Sequence, residues 1–172
     1  MESREITIRI ATAADADTIH DAMVGIATIM GEREKVASTP DDIRRYGFGE
    51  TPAFEALLAE VDGSSAGVCV FFPSFSTYQG RPGVYVQDLF VPAQFRGLGV
   101  GAKLLQRLAA VTRERGGCYI RLSVATQNSR AQAFYTRLGL ARSDTEQIHA
   151  AYGKDFSALA EAGDRYPKAG DT

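Results

Sequence analysis

No stretch of the 172 residues approaches the ~18 consecutive apolar positions of a membrane-crossing helix, and Met1-Glu2-Ser3-Arg4-Glu5 leads into no apolar signal-peptide run. A cytoplasmic chain with no membrane partner is expected. Charge of one sign is also lacking, since 19 Lys and Arg stand against 21 Asp and Glu for a formal −2. Sequence-independent nucleic-acid binding usually rests on a strongly basic balance, so no nucleic-acid partner is expected and any anion site must be local. Cysteine is scarce: Cys69 and Cys118 lack C-x-x-C spacing, cannot make a disulfide framework, and read as small apolar core residues. His20 and His149 are isolated in sequence and read as surface or packed residues, and no metal-binding set is visible. Repeats, low-complexity tracts and linkers are absent. At 45% hydrophobic and 23% charged, the chain reads as a single domain over 1–172 with a frayed tail over about 167–172.

What is present alternates between strand and helix periodicity. Glu5 to Ile10 alternates apolar and polar residues as a half-buried strand does, and Ile19, Met23, Ile26, Ala27 and Met30 recur at helical intervals behind a Thr12 or Asp15 cap. A polar loop, 31–40, precedes a short helix from Pro40 to about Gly47-Phe48-Gly49. Two β-like runs, 54–61 and 66–72, flank Asp62-Gly63-Ser64-Ser65 and predict an antiparallel pair; a turn-rich stretch, 76–83, leads into a strand over 84–91. The strongest helix carries Val100, Leu104, Leu105, Leu108 and Val111 on one stripe up to Gly116-Gly117. A strand over 118–124, a helix from Ser129 to Leu138 and a last β-like piece over 147–152 complete the pattern. The fold class is α/β with a mixed sheet, antiparallel strands first and a parallel βαβ crossover behind.

The chemistry concentrates in Gln94-Phe95-Arg96-Gly97-Leu98-Gly99-Val100-Gly101-Ala102-Lys103, between a strand and the strongest helix. Glycines there let backbone amides converge on one point, and a helix N-terminus favours an anion such as a pyrophosphate. Arg96 could add a charge-assisted bond, with Lys103 or Arg107 supplying longer-range positive potential. A P-loop is ruled out because Leu104, not Ser or Thr, follows Lys103. Gly97-x-Gly99-x-x-Ala102 formally meets the dinucleotide pattern, but the following strand ends in Ala125-Thr126-Gln127 without the ribose-binding acid. A turn with no ligand is the remaining alternative.

Arg96-Gly97-Leu98-Gly99-Val100-Gly101 resembles the (Gln/Arg)-x-x-Gly-x-(Gly/Ala) signature of the GNAT superfamily of acetyl-coenzyme A-dependent N-acetyltransferases. Asp88-Leu89-Phe90-Val91, Asn128 and Ala133-Phe134-Tyr135-Thr136-Arg137-Leu138-Gly139-Leu140 follow the same family's order and spacing. Upstream, Gly47-Phe48-Gly49-Glu50-Thr51-Pro52-Ala53-Phe54 and Ala59-Glu60-Val61 are similar to the diamine (spermidine/spermine and thialysine) branch, as is the stretch from Phe71 to Gly80 with its Tyr78. The resemblance implies acetyl-CoA as cofactor, no metal, splayed central strands, and Leu89, Phe90 and Val91 pairing with the pantetheine arm. It also implies pyrophosphate binding by Arg96, Gly97, Leu98, Gly99, Val100, Gly101 and Ala102, and contact of Asn128 and Tyr135 with the cofactor. Many members of the family are dimers, so a homodimer is compatible with it.

Acetyl transfer to an amine needs an uncharged nucleophile and a proton for the departing thiolate. Tyr135 matches the family's general acid, and a phenol of ordinary pKa near ~10 keeps its proton at neutral pH; packing beside Phe134 is the alternative reading. Asp88 is the candidate base for an alkylammonium, with a plain strand-end acid as its alternative. Asn128 reads equally as cofactor contact or helix cap. Gln87 and Glu34 are the further substrate contacts, but the diamine branch carries an acidic pair where this chain has Gln87-Asp88, so half of that cation-binding charge is missing. Cys118 is not placed like an activated nucleophile, which favours direct transfer to a small-molecule primary amine, such as a polyamine or lysine-like amine. A non-catalytic acyl-CoA sensor, or an enzyme acting on protein N-terminal or lysine amines, would carry the same glycine loop.

Overall fold

The computed structural model describes residues 5–163, so the expected frayed tail lies outside the described residues. The chain divides into two compact units, the first running to Ser129 and the second starting at Arg130.

The first unit is built on a five-stranded sheet in the order β1-β2-β3-β4-β5: β1 Ile6–Ile10, β2 Glu55–Val61, β3 Ser64–Ser76, β4 Arg81–Phe90 and β5 Ile120–Leu122. The first four are antiparallel neighbours and β5 runs parallel to β4, as the βαβ pattern predicts. The β2–β3 hairpin turns on Asp62 and Gly63 with φ of 51° and 75°, the left-handed pair that suits strand twist. β3 continues to Ser76, beyond the 72 expected from sequence, and β4 begins at Arg81, because the two pair from Val68↔Phe90 out to Ser76↔Arg81. β5 is shorter than the expected 118–124, having only three residues. Cys118 therefore falls outside the sheet and is exposed, its thiol donating to Gln79 Oε1 at 3.0 Å; only Cys69 meets the core expectation.

One face of the sheet is covered by α1 (Ala16–Ile29) and α2 (Pro40–Phe48), the other by α3 (Val100–Glu114). Ile19, Ala22, Ala56, Leu58, Val68 and Val70 form the first core, with Phe90 packed against it. On the opposite face Val100 and Leu104 sit so close to β3 that a Cβ on Gly67 would come within 2.9 Å of Val100 Cγ1. Burial of an aliphatic side chain such as Leu104 or Leu108 stabilises by about 1.5–3 kcal/mol. His20 is half-buried and bonds the Ser38 carbonyl through Nε2 at 2.7 Å, fixing the polar loop against α1.

Thr12 and Asp15 share the start of the first helical segment: the Thr12 amide donates to Asp15 Oδ2 at 2.7 Å, and Arg9 donates to both carboxylate oxygens at 2.8 Å. These donors hold the Asp15 carboxyl at about 2. A depressed carboxylate pKa contributes stability above the unfolded value that is lost as pH falls through the folded one. Asp15→Asn should lower stability at neutral pH by about 1 kcal/mol, a figure discounted for solvent screening of half-exposed Arg9, and flatten acid unfolding between about pH 4 and 2. Urea melts across that pH range measure both.

The second unit holds α4, which begins at the boundary (Ser129–Arg137), and α5 (Gly153–Gly163). Leu140 N–H bonds back to the Tyr135 carbonyl at 3.0 Å around Gly139, closing α4 as the sequence predicts. The β-like run expected over 147–152 is not a strand: its residues are exposed and have no ladder partner among the described residues. A β-like run without a sheet edge to pair with gains no ladder bonds in an extended form. α5 escaped the sequence reading, although Ala158, Leu159, Ala160, Glu161 and Ala162 are strong helix formers.

Candidate functional site

Two irregularities in β4 shape the site. Register pairs Phe71 with Val86 and Val70 with Asp88, so Gln87 is an extra residue, a bulge. It reverses the alternation, putting Asp88 on the α1/α2 face with its partner Val70 and with Phe90, where regular pleating would put it toward α3. The second irregularity is on the other edge. Pairing with β5 runs Val84↔Ile120, Tyr85↔Arg121, Val86↔Leu122 and stops, while β4 continues to Phe90. The β5-facing backbone of Gln87 to Phe90 therefore has no strand partner among the described residues. This early end of the ladder is the expected splay.

The gap leads to the glycine loop. Gly97 and Gly99 have φ of 81° and 82°, and nothing lies within 4 Å of where a Cβ on either would project. Only glycine adopts this backbone without strain, and the space on that side is open. The first bond of α3 is Lys103 N–H to the Gly99 carbonyl at 3.0 Å. The preceding amides of Val100, Gly101 and Ala102 belong to the turn whose N–H groups have no intrahelical acceptor. Val100 itself is buried, so only its amide can serve a ligand. Arg96 is exposed and commits Nε to the Val91 carbonyl at 3.0 Å, tying the loop to the end of β4. Arg107 pairs with Glu114 at 3.4 Å, which reduces its part in the positive field; Lys103 is exposed. Helix-start amides without intrahelical acceptors beside open space are the chemistry that holds an anion, and an unpaired strand edge is one that an extended, amide-bearing chain can join.

Asp88 is half-buried and has no hydrogen-bond or ion-pair partner among the described residues; burial raises its carboxyl above the usual range. An unpaired carboxylate beside the gap can accept a proton or hold a cation. Burial, with Asp88 nearby, pushes the Cys69 thiol up to about 12, which leaves it protonated and inert. Gln87 is exposed on the bulge, and Glu34 is exposed in a short turn, Arg33–Lys35. Asn128 is half-buried at the start of α4, its amide bonded to the Ala125 carbonyl at 2.9 Å. Tyr135 lies in the second unit, half-buried on α4 with its ring edge-on to Phe134 at 5.1 Å. Tyr85 and Ser123, bonded hydroxyl to hydroxyl at 2.6 Å beside the point where the ladder stops, carry no motif that sequence reading could single out.

The dinucleotide alternative does not fit. Its first strand belongs to a parallel sheet, whereas β4 is antiparallel to β3 on one side. A bovine (Bos taurus) thialysine N-epsilon-acetyltransferase is 32% identical over 142 residues, 78% of this chain and 83% of that protein. The mouse (Mus musculus) protein of that name is 33% identical over 140 residues, 77% of this chain and 82% of its own. Among solved structures, an integron cassette protein from V. cholerae superposes with a TM-score of 0.77 at 18% identity, covering 94% of this chain and 99% of that one. It shares the fold. The family model for the acetyltransferase (GNAT) family matches residues 23–140, spanning the bulged strand, the glycine cradle and Tyr135, and the chain belongs to that family of acyl-transferring enzymes.

Proposed function

We propose that the protein moves an acetyl group from acetyl-CoA directly to a primary amine of a small molecule, a polyamine or a lysine-like amine. The observation that carries this is the open Gly97–Gly99 cradle at the head of α3, continuous in sequence with an unpaired strand edge that carries Asp88, half-buried and with no hydrogen-bond or ion-pair partner for its side chain among the described residues. The thialysine acetyltransferase relatives support the amine class. Both units would belong to one catalytic domain, in keeping with a family match that crosses their boundary. We extend the proposal to a cytoplasmic homodimer that acts on a small molecule rather than on nucleic acid or a membrane.

Acetyl-CoA, when bound, supplies the activated acetyl thioester. The amides of Leu98 to Ala102, with Gly97 and Arg96, would hold the diphosphate. The backbone of Leu89, Phe90 and Val91 would pair with the pantetheine amides, and Asn128 would bond the arm. Asp88 would take the proton an alkylammonium must lose before its nitrogen lone pair can attack. Gln87 would hydrogen-bond the acceptor, and Glu34 would offer a second carboxylate to a distal cation. Tyr135 would return a proton to the departing thiolate.

Thiol release from acetyl-CoA with a panel of diamines, lysine analogues and N-terminal peptides tests the reading. Turnover on small amines is the expected result. Gly99→Val should raise KM for acetyl-CoA by about tenfold or more, because the αL strain and the side chain both oppose the cradle. Cofactor binding without turnover on any amine would make the protein a sensor instead.

A further inference from the structure

The closed end of the β4–β5 gap is tied in an unusual way. Below it the strands are zipped by backbone: Cys118 N–H to the Pro82 carbonyl at 2.9 Å, Val84 N–H to the Tyr119 carbonyl at 3.1 Å, then the ladder to Val86↔Leu122. Ser123 is the first residue past that ladder, where the backbone ceases to hold the strands together. There the Tyr85 hydroxyl reaches across and meets Ser123 Oγ at 2.6 Å. The Tyr85 ring is not free to swing, because it stacks on Phe72, its register partner on β3, at 5.1 Å and 24°.

We infer that Tyr85 is a positioning residue, a stacked strut whose hydroxyl holds Ser123 at a fixed distance and so sets the width of the gap. The unladdered edge of β4 and the segment leaving β5 can close together or drift apart; either motion must be reversed before an arm can lie between them. An opening held in advance removes that ordering cost from binding. A phenol suits the task better than an aliphatic residue, since its hydroxyl lies at the end of a rigid ring with few rotatable bonds. Phe72 fixes the ring, the ring fixes the hydroxyl, and the hydroxyl fixes the segment leaving β5. The inference rests on the reading of the gap as the place of the CoA arm, and it adds a determinant of affinity that does not itself touch the acetyl group.

Calorimetry with CoA on the full chain tests it, comparing the parent with Tyr85→Phe, Ser123→Ala, the double variant and Ser123→Thr, alongside KM and kcat with an amine acceptor. Tyr85→Phe keeps the stack on Phe72 and removes only the hydroxyl. Each single variant is expected to bind CoA roughly three- to tenfold more weakly, the loss of one half-exposed hydrogen bond. The double variant should lose no more than either single, because both remove the same bond, and Ser123→Thr should restore affinity. kcat at saturating acetyl-CoA should stay at the parent value. Parent-like CoA affinity in Tyr85→Phe, additive losses in the double variant, or an effect confined to KM for the amine would each overturn the strut while leaving the cofactor reading standing. A parent that binds no CoA while its fold stays intact would remove the cofactor reading, and the strut with it.

Discussion

Asp88→Asn is expected to reduce kcat/KM for the amine by on the order of 10²- to 10³-fold, with CoA affinity by calorimetry unchanged. Asparagine keeps the shape and loses the capacity to accept a proton. The pH profile makes the test sharper. Burial raises the Asp88 carboxyl above its ordinary value, with no paired cation to counter it. A base works only when deprotonated, so activity should fall as pH drops through this raised value, at a higher pH than an exposed aspartate would give. In Asp88→Asn that acid limb should vanish, leaving a low, flat rate on that side. The stability effect runs the opposite way: a raised carboxyl pKa means that the folded state is destabilised by the charged form, so Asp88→Asn should be neutral or slightly stabilising near pH 7. A variant that retained both rate and acid limb would place proton acceptance on another group.

Tyr135→Phe should lower kcat by on the order of 10²-fold while KM for the amine and affinity for CoA hold. The substitution separates two roles that sequence leaves superimposed. The aromatic ring meets Phe134 edge-on, and phenylalanine preserves that contact; only the hydroxyl is lost. A stable Tyr135→Phe with undiminished kcat, paired with a destabilised Tyr135→Ala, would assign the residue to packing alone. Because general acid and general base act at different stages of one transfer, the two variants differ in signature: Asp88→Asn removes the acid limb, whereas Tyr135→Phe leaves it in place.

Much of this was readable in the chain because short-range rules govern it. Alternation at Ile6 and Ile8, the Asp62-Gly63 turn, and the stripe of Val100, Leu104, Leu105, Leu108 and Val111 each depend on periodicity or on local backbone preference, and the structure matches them; Ile10, expected on the same face as Ile6 and Ile8, ends β1 exposed. The sequence-derived strand at 147–152 failed for a long-range reason. β-like composition describes a segment able to pair, but pairing needs an edge, and none meets that run among the described residues. Cys118 was misread in the same way: its neighbours resemble a strand, yet β5 starts at Ile120 and leaves the thiol exposed against Gln79.

By itself the sequence determined the order of strands and helices, the glycines at the head of α3 and the family to which the chain belongs, because each is written in consecutive residues. Tertiary structure alone decided where pairing between β4 and β5 stops, that the Gln87 bulge turns Asp88 toward the α1/α2 face, and that Arg96 is tethered to the Val91 carbonyl. The physical reason is that a ladder's end and a bulge's register are properties of two strands together. No single strand's residues specify how far its neighbour follows, so the gap and the direction of its carboxylate appear only once the sheet has formed.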